Sequence, residues 1–378
     1  MIAPFAPRSL RIGFDAEIFA LQKNGGISVH FYNVISLLAD HHIVFLLADS
    51  RKIESLLESY FFIGLLSNPN ITVSYFAQFS EFRDLVSRFR LDIVQSTYLH
   101  PRSVLSGTRS VYTFHDSAPE RFVFKYFRVS YALLLPLRQF VFAFASGISV
   151  VSQFSLCELS RFFLIRVQQP NHIVLTGNSV QSRSFQSPSF QAFGVSSGEG
   201  TIRLLFIGLR VGYKNFKSLF DALSCLQSLR PSCSISLSIV GGGPLSTAEC
   251  RALRRLSLEY SHYLNPSADE LKAIYRQSDI LVHTSLYEGF GIPVLEAMRI
   301  GLPVVAVDIP SVREVARDTI IYTTGPDPLD IANALNFFIG LPSVAIDEMR
   351  AKAFDRSLYY DWHRITRNYD ELYRNLAL

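Results

Sequence analysis

Ser285-Leu286-Tyr287-Glu288-Gly289-Phe290-Gly291-Ile292-Pro293-Val294-Leu295-Glu296-Ala297-Met298 is the stretch from which the rest of the chain is most readily understood. It follows Ile280-Leu281-Val282-His283-Thr284, an apolar run of the kind that forms a strand buried on both faces of a parallel sheet. Gly289 and Gly291 free the backbone to turn and to approach a ligand. Pro293 suits the first turn of a helix, where its missing N–H would have had no partner. A helix is therefore expected to start near Pro293, its unpaired N–H groups and positive dipole end forming an anion site. Two carboxylates frame that site, Glu288 on the loop and Glu296 in the first helical turn. A carboxylate accepts from two hydroxyls at once, which suits hydroxyl-rich ligands such as sugars and riboses. The plainer alternative is a well-capped turn in which Glu296 only complements the helix dipole.

The same strand-then-turn pattern recurs. Residues 202–208 read as a buried strand, and Gly208-Leu209-Arg210-Val211-Gly212-Tyr213-Lys214-Asn215 then brings two cations to its end. Arg210 offers a fork for phosphate oxygens and Lys214 a point charge, so together they suit a diphosphate; solvated surface cations are the alternative. Residues 236–240 lead into a second glycine turn, Gly241-Gly242-Gly243-Pro244. In the first half, a strand at 10–15 is followed by Gly25-Gly26-Ile27-Ser28 and a helix with apolar Val29, Tyr32, Val34, Ile35 and Leu38. Strand, glycine turn, helix is the phosphate-facing unit of nucleotide-binding α/β folds. Further strands are expected at 42–47, 71–75, 92–96, 110–114 and 147–152, with a helix over 153–163. Such alternation argues for a parallel sheet with crossover helices. The strand at 110–114 ends in His115-Asp116, at the carboxyl end where open α/β sheets bind ligands.

Composition narrows the classes. A length of 378 residues is more than one core usually serves, so two domains are expected. With 49% hydrophobic residues the chain is no disordered protein. No apolar run is long enough for a membrane span and no signal-peptide pattern opens the chain, so a cytoplasmic location is expected, with a peripheral position at the inner face of the membrane left open. Residues 121–145 mix aromatic and aliphatic side chains with Lys125, Arg128 and Arg138; such a segment lies on a bilayer surface or forms a mostly buried helix pair whose cations reach water. The four cysteines make no C-x-x-C pair and no metal-ligand spacing with histidine. Residues 1–185 hold 17 Lys+Arg against 12 Asp+Glu, a bias too small to indicate a nucleic-acid partner.

Glu288 and Glu296, seven residues apart around Gly-Phe-Gly-Ile-Pro, resemble the E-x7-E signature of the retaining GT-B glycosyltransferases of group 1 (glycosyltransferase family 4). Gly301-Leu302-Pro303-Val304-Val305-Ala306, Pro310-Ser311-Val312-Arg313-Glu314-Val315, the Arg210/Lys214 spacing and Thr113-Phe114-His115-Asp116 continue that pattern. Asn178-Ser179-Val180-Gln181 departs from the family's usual Asn-Gly-Val-Asp. The resemblance implies an α/β GT-B fold, two Rossmann-like domains facing across a cleft: an acceptor domain over 1–185, a linker over 186–201, a nucleotide-sugar domain over 202–355, and a helix over 356–378 returning to the first domain. It implies hexosyl transfer from a nucleotide sugar with retention. Glu288, His115, Arg210 and Lys214 would be catalytic, and Gly25, Gly26, Gly241, Gly289, Phe290, Gly291, Ile292 and Glu296 donor-binding. No metal or other cofactor is expected beyond the nucleotide sugar itself. Similarity to bacterial mannosyltransferases of surface-polysaccharide assembly favours GDP-mannose, with a saccharide or polyprenyl-diphosphate-linked acceptor. A UDP-sugar-dependent enzyme and a non-catalytic nucleotide-sugar binder are the alternatives.

Overall fold

Strands of three to seven residues, most of them apolar and followed by a helix with one apolar face, bury both sides of a sheet, and the chain does this twice. The computed structural model describes residues 8–23, 25–122, 125, 134–165, 172–180, 201–210 and 212–378. The expected linker, Thr201 apart, lies outside them, as do 123–124 and 126–133 of the apolar segment at 121–145. Two compact units result: the first takes the chain up to Ser179, apart from 124–126, together with Asp361–Leu378, and the second takes Val180–Tyr360.

In the first unit β1 (Arg11–Asp15), β2 (Ile43–Asp49), β3 (Ile71–Phe76), β4 (Ile93–Ser96), β5 (Arg109–Phe114), β6 (Gly147–Val150) and β7 (Ile173–Leu175) form a parallel sheet in the order β3-β2-β1-β4-β5-β6-β7. The order reverses between β1 and β4. There the buried Asp15 carboxylate accepts from Ser96 Oγ (2.6 Å), the Thr97 amide (2.9 Å) and Thr97 Oγ1 (2.7 Å), pinning the ends of the two strands together. The helix Gly26–Leu38 starts as expected. Gly25 caps it because a Cβ there would sit 1.9 Å from the Gln22 side chain.

The helix Trp362–Ala377 closes the same unit. Trp362, Ile365, Tyr369, Leu372, Tyr373 and Leu376 recur at helical spacing and join the core around Ile12, Phe14, Phe31 and Ile93. Its buried polar atoms are met as well. Tyr369 Oη lies 2.8 Å from His30 Nε2, 2.8 Å from Thr113 Oγ1 and 3.0 Å from Ser149 Oγ, and Tyr373 Oη donates to Gln95 Oε1 at 2.9 Å. Burial holds His30 down at about 4, against a partial rise from its bond to Asn178, so the ring is neutral near pH 7.

In the second unit β8 (Thr201–Ile207), β9 (Ser234–Val240), β10 (Glu259–Tyr263), β11 (Ile280–His283), β12 (Val304–Val307) and β13 (Ile321–Thr323) form a parallel sheet ordered β10-β9-β8-β11-β12-β13. β10 and β13 were not marked by the apolar pattern. They are the edge strands: three of the five residues of β10 are exposed and β13 is only three residues long, so neither needs a continuous apolar run. The switch of direction falls between β8 and β11. Among the described residues of either unit, no single helix is long and apolar enough to cross a membrane.

Candidate functional site

The strand order reverses between β8 and β11, and open α/β sheets bind ligands at the carboxyl ends of the strands at such a reversal. The loops that leave these strands are stitched together. Thr284 Oγ1 donates to the Lys214 carbonyl (2.8 Å), and the Leu286 amide donates to that of Tyr213 (2.8 Å). Lys214, at the end of the 3-10 turn Gly212–Lys214, thereby reaches Glu288, with Nζ 2.6 Å from Oε1.

Two donors converge on that one oxygen, Lys214 and Ser285 Oγ at 2.8 Å, and His283 Nε2 lies 3.3 Å from it. Oε2 has no partner among the described residues. Burial pushes Glu288 up, but Lys214, His283 and the hydrogen bonds from Lys214 and Ser285 together outweigh it, and the carboxyl titrates below its ordinary range. His283 is held down at about 4 by burial, against the pull of Glu288, and its Nδ1 has no partner among the described residues. Glu288 is thus an ionised acceptor with one oxygen tied to the protein and one left for a ligand.

Glu296 behaves differently. The helix Ile292–Ile300 is headed by Gly291 at φ 106°, a left-handed conformation that a side chain would strain. Its start at Ile292 places Glu296 in the second turn rather than the first, away from the unpaired N–H groups that would have lowered its pKa. Burial raises Glu296 to about 7, and the hydrogen bond from Tyr275 Oη to Oε2, 2.6 Å, only partly offsets this. The helix head itself offers the amides of Gly291 and Ile292, with Pro293 contributing none. Gly289 and the buried Phe290 complete the turn.

Because the folded carboxyl is raised above its unfolded value near 4.5, the folded state holds the proton that the unfolded state gives up between pH 4.5 and 7. Glu296 therefore costs stability increasingly as pH rises through that window, and the cost is full above pH 7. Glu296→Gln, which keeps the acceptor for Tyr275, is expected to stabilise the protein by about 1–3 kcal/mol at pH 8 and to be nearly neutral at pH 4.5. Thermal melts of both proteins across that range check it, and equal melting at pH 8 would refute it.

Arg210 is not presented as a free cation. Its guanidinium lies in a ring of acceptors: Nε donates to Glu249 Oε1 (2.8 Å), Nη1 to the Gly241 carbonyl, and Nη2 to the carbonyls of Gly243 (2.8 Å) and Pro244 (2.7 Å). Gly241, Gly242 and Gly243 all have positive φ, and a Cβ on Gly242 would meet Arg210 Nη1 at 2.6 Å. Arg210 therefore braces the glycine turn, while Lys214 pairs with the acid.

In the first unit, His115 follows β5. Its ring stands edge-on to His30 (centroids 5.6 Å apart) and Phe31 (6.2 Å), with Nε2 buried and unpartnered among the described residues. Burial, with His30 and Arg138 nearby, holds it at about 3, so it is neutral at physiological pH. Within the second unit the structure brings Lys214 and Glu288 into contact, seats Glu296 on the helix that follows Gly289–Gly291, and ties Arg210 to Gly241. His115, Gly25 and Gly26 belong to the first unit. His283 and Tyr275 carried no signal as partners of the acids: each reads as an element of a buried strand or helix face, 5 and 21 residues from its acid. Among the described residues no group of three or more His, Cys, Asp or Glu could hold a metal ion.

Two units, each a parallel Rossmann-like sheet, are the architecture of the GT-B fold. A glycosyltransferase from Rickettsia africae superposes with a TM-score of 0.73 at 15% identity, covering 97% of this chain and 98% of that one. Anabaena Alr3699/HepE in complex with UDP-glucose gives 0.69 at 18%, covering 96% and 98%. The chain belongs to the group 1 glycosyltransferases: residues 190–353 match the model of "Glycosyl transferases group 1" and residues 24–176 that of "Glycosyltransferase Family 4". Among relatives, the serotype-specific mannosyltransferase WbdA of Escherichia coli is 32% identical over 45% of this chain, a match spanning only 20% of WbdA. The GDP-mannose:cellobiosyl-diphosphopolyprenol alpha-mannosyltransferase of Komagataeibacter xylinus is 24% identical over 76% of this chain and 69% of its own.

Proposed function

We propose that this protein transfers a hexosyl group, with mannose from GDP-mannose the favoured case, to a hydroxyl of a saccharide or lipid-linked saccharide, retaining the configuration at the anomeric carbon. The observation that carries this reading is the Lys214–Glu288 pair at the β8/β11 switch point. It sets a cation and a ligand-ready carboxylate oxygen in the same unit as a glycine-led helix N-terminus, the arrangement needed where a diphosphate leaves a sugar. Cleavage of the anomeric C–O bond sends its electron pair to the phosphate oxygen as positive charge grows on the ring; the acceptor oxygen then bonds to that carbon and its proton passes to the departing phosphate. Lys214, which keeps two further N–H protons, and the amides of Gly291 and Ile292 would meet the leaving charge; such electrostatic terms are worth roughly 3–4 kcal/mol per donor. Glu288 Oε2 would accept from sugar hydroxyls and Glu296 from the ribose. Arg210 would hold the Gly241 turn in its ligand-ready form. His115, Gly25 and Gly26 keep the sugar- and phosphate-facing roles that the resemblance implies. The names of WbdA and the Komagataeibacter enzyme favour mannose, and that of the latter a polyprenol-linked saccharide acceptor. The UDP-glucose held by HepE, a neighbour of the same fold, keeps a UDP-sugar as the second reading.

A panel of GDP-mannose, GDP-fucose, UDP-glucose and UDP-N-acetylglucosamine decides between them, since ligand that binds only the folded state raises its melting temperature by mass action. GDP-mannose at about 100 times its dissociation constant is expected to add ~2.7 kcal/mol of apparent stability. Product analysis with a polyprenyl-linked acceptor then separates transfer from binding alone. A larger shift with a UDP-sugar would reverse the donor assignment, and no shift with any of the four would remove the function proposed here.

A further inference from the structure

We propose that Tyr275 is a positioning residue for Glu296, fixing Oε2 so that Oε1 is presented to the vicinal hydroxyls of a nucleotide ribose; this rests on the reading that Glu296 holds the ribose. Tyr275 lies on the helix Ala268–Gln277 and is 1% exposed. A buried phenol must find an acceptor, and this one has two within reach: the Pro293 carbonyl at 3.3 Å and Glu296 Oε2 at 2.6 Å. The second distance falls in the short range of an O–H···O⁻ bond, whereas the first is long, so the carboxylate is the main acceptor. Oε1 has no partner among the described residues, and Glu296 as a whole is partly exposed.

The geometry gives the bond a use beyond packing. A glutamate side chain has three rotatable bonds, and an unheld carboxylate samples orientations that turn neither oxygen to a ligand. A single strong bond to one oxygen, made by a side chain that cannot itself move in the core, selects one orientation. Because Tyr275 also touches the Pro293 carbonyl, it fixes the acid relative to the first turn of the helix whose amides would face the phosphates. Ribose hydroxyls and phosphate of one nucleotide would then be measured against the same rigid element. Burial disfavours the ionised form of Glu296 and the phenol partly opposes that, so the acceptor form is favoured more than it would be without Tyr275.

The test compares GDP and UDP with their 2′,3′-dideoxy analogues by titration calorimetry on the full chain. The wild-type protein is expected to bind the ribose nucleotide ~10–100-fold more tightly than its dideoxy analogue. Tyr275→Phe keeps the ring volume and is expected to reduce that preference about 5–10-fold, while the affinity for the dideoxy analogue stays within about 2-fold of wild type. In a Glu296→Ala background, Tyr275→Phe should change the preference no further, an outcome that a purely structural tyrosine does not produce. A full ribose preference in Tyr275→Phe, or equal losses of ribose and dideoxy affinity, overturns the positioning role and leaves the assignment of Glu296 standing. A wild-type protein that binds ribose and dideoxy nucleotides equally overturns both.

Discussion

Lys214→Ala is expected to lower hexosyl transfer by about 10²–10³-fold in a protein that still folds. The loss has two parts. On the proposed reading the leaving diphosphate loses a cation, and Glu288 loses the donor at 2.6 Å that does most to keep it ionised despite burial. With Lys214 gone, burial is opposed only by Ser285 and His283, so the Glu288 carboxyl titrates higher. Residual activity should accordingly rise with pH over a range where wild-type activity is flat. Glu288→Ala is expected to be as damaging, because on the same reading the sugar hydroxyls would lose their acceptor, and Lys214 loses its partner. Since the two residues act as one unit, the double variant should be little worse than either single one, far from the product of the two losses. Initial rates of the three variants with a saturating nucleotide sugar check this. Full activity in either single variant would remove the pair from the site.

The second large effect is on stability. Tyr369→Phe deletes one oxygen from the helix Trp362–Ala377 and strips a partner from His30, Thr113 and Ser149 at once. Ser149 still donates to Thr113 at 2.7 Å, but His30 Nε2 is left alone in the core of the first unit, where a polar atom without a partner costs far more than a hydrogen bond gains. The expected cost is roughly 2–4 kcal/mol for Tyr369→Phe. It is about 3–5 kcal/mol for Tyr369→Ala, which also leaves a cavity. Urea unfolding followed by the single tryptophan, Trp362 at the start of the same helix, reports on this unit directly. A Tyr369→Phe midpoint equal to wild type would mean that the network contributes nothing to holding the helix in place.

Much of this molecule could be read from its residues in order. The apolar run at 280–284 and Gly289-Phe290-Gly291-Ile292-Pro293 specify a buried strand, a turn and a helix start by local chemistry alone: β-branched side chains, a glycine at φ 106°, and a proline where no N–H is needed. The boundaries of β1, β4 and β5, and of the helices after Gly25 and Ser152, follow for the same reason. Glu288, Lys214 and Glu296 could each be singled out as chemically suited to a nucleotide sugar. Three-residue β7 and edge strand β10 could not be read this way, since neither buries enough apolar surface to mark the sequence.

What the order of residues could not supply was who touches whom. Lys214 and Glu288 stand 74 positions apart and meet only because β8 and β11 are neighbours in the sheet, a pairing set by the summed burial of all six strands rather than by either loop. Arg210 reads as a second free cation, yet the carbonyls of the Gly241–Pro244 turn converge on it and turn it into a brace. Glu296 reads as an acid helped by a helix N-terminus. One extra helical residue and the closing of the core around it make it an acid that burial hinders and Tyr275 holds. Local backbone preferences act over a few bonds and can be read along the chain, whereas ionisation, pairing and orientation depend on solvent exclusion and on distances through space, which exist only once both sheets have formed.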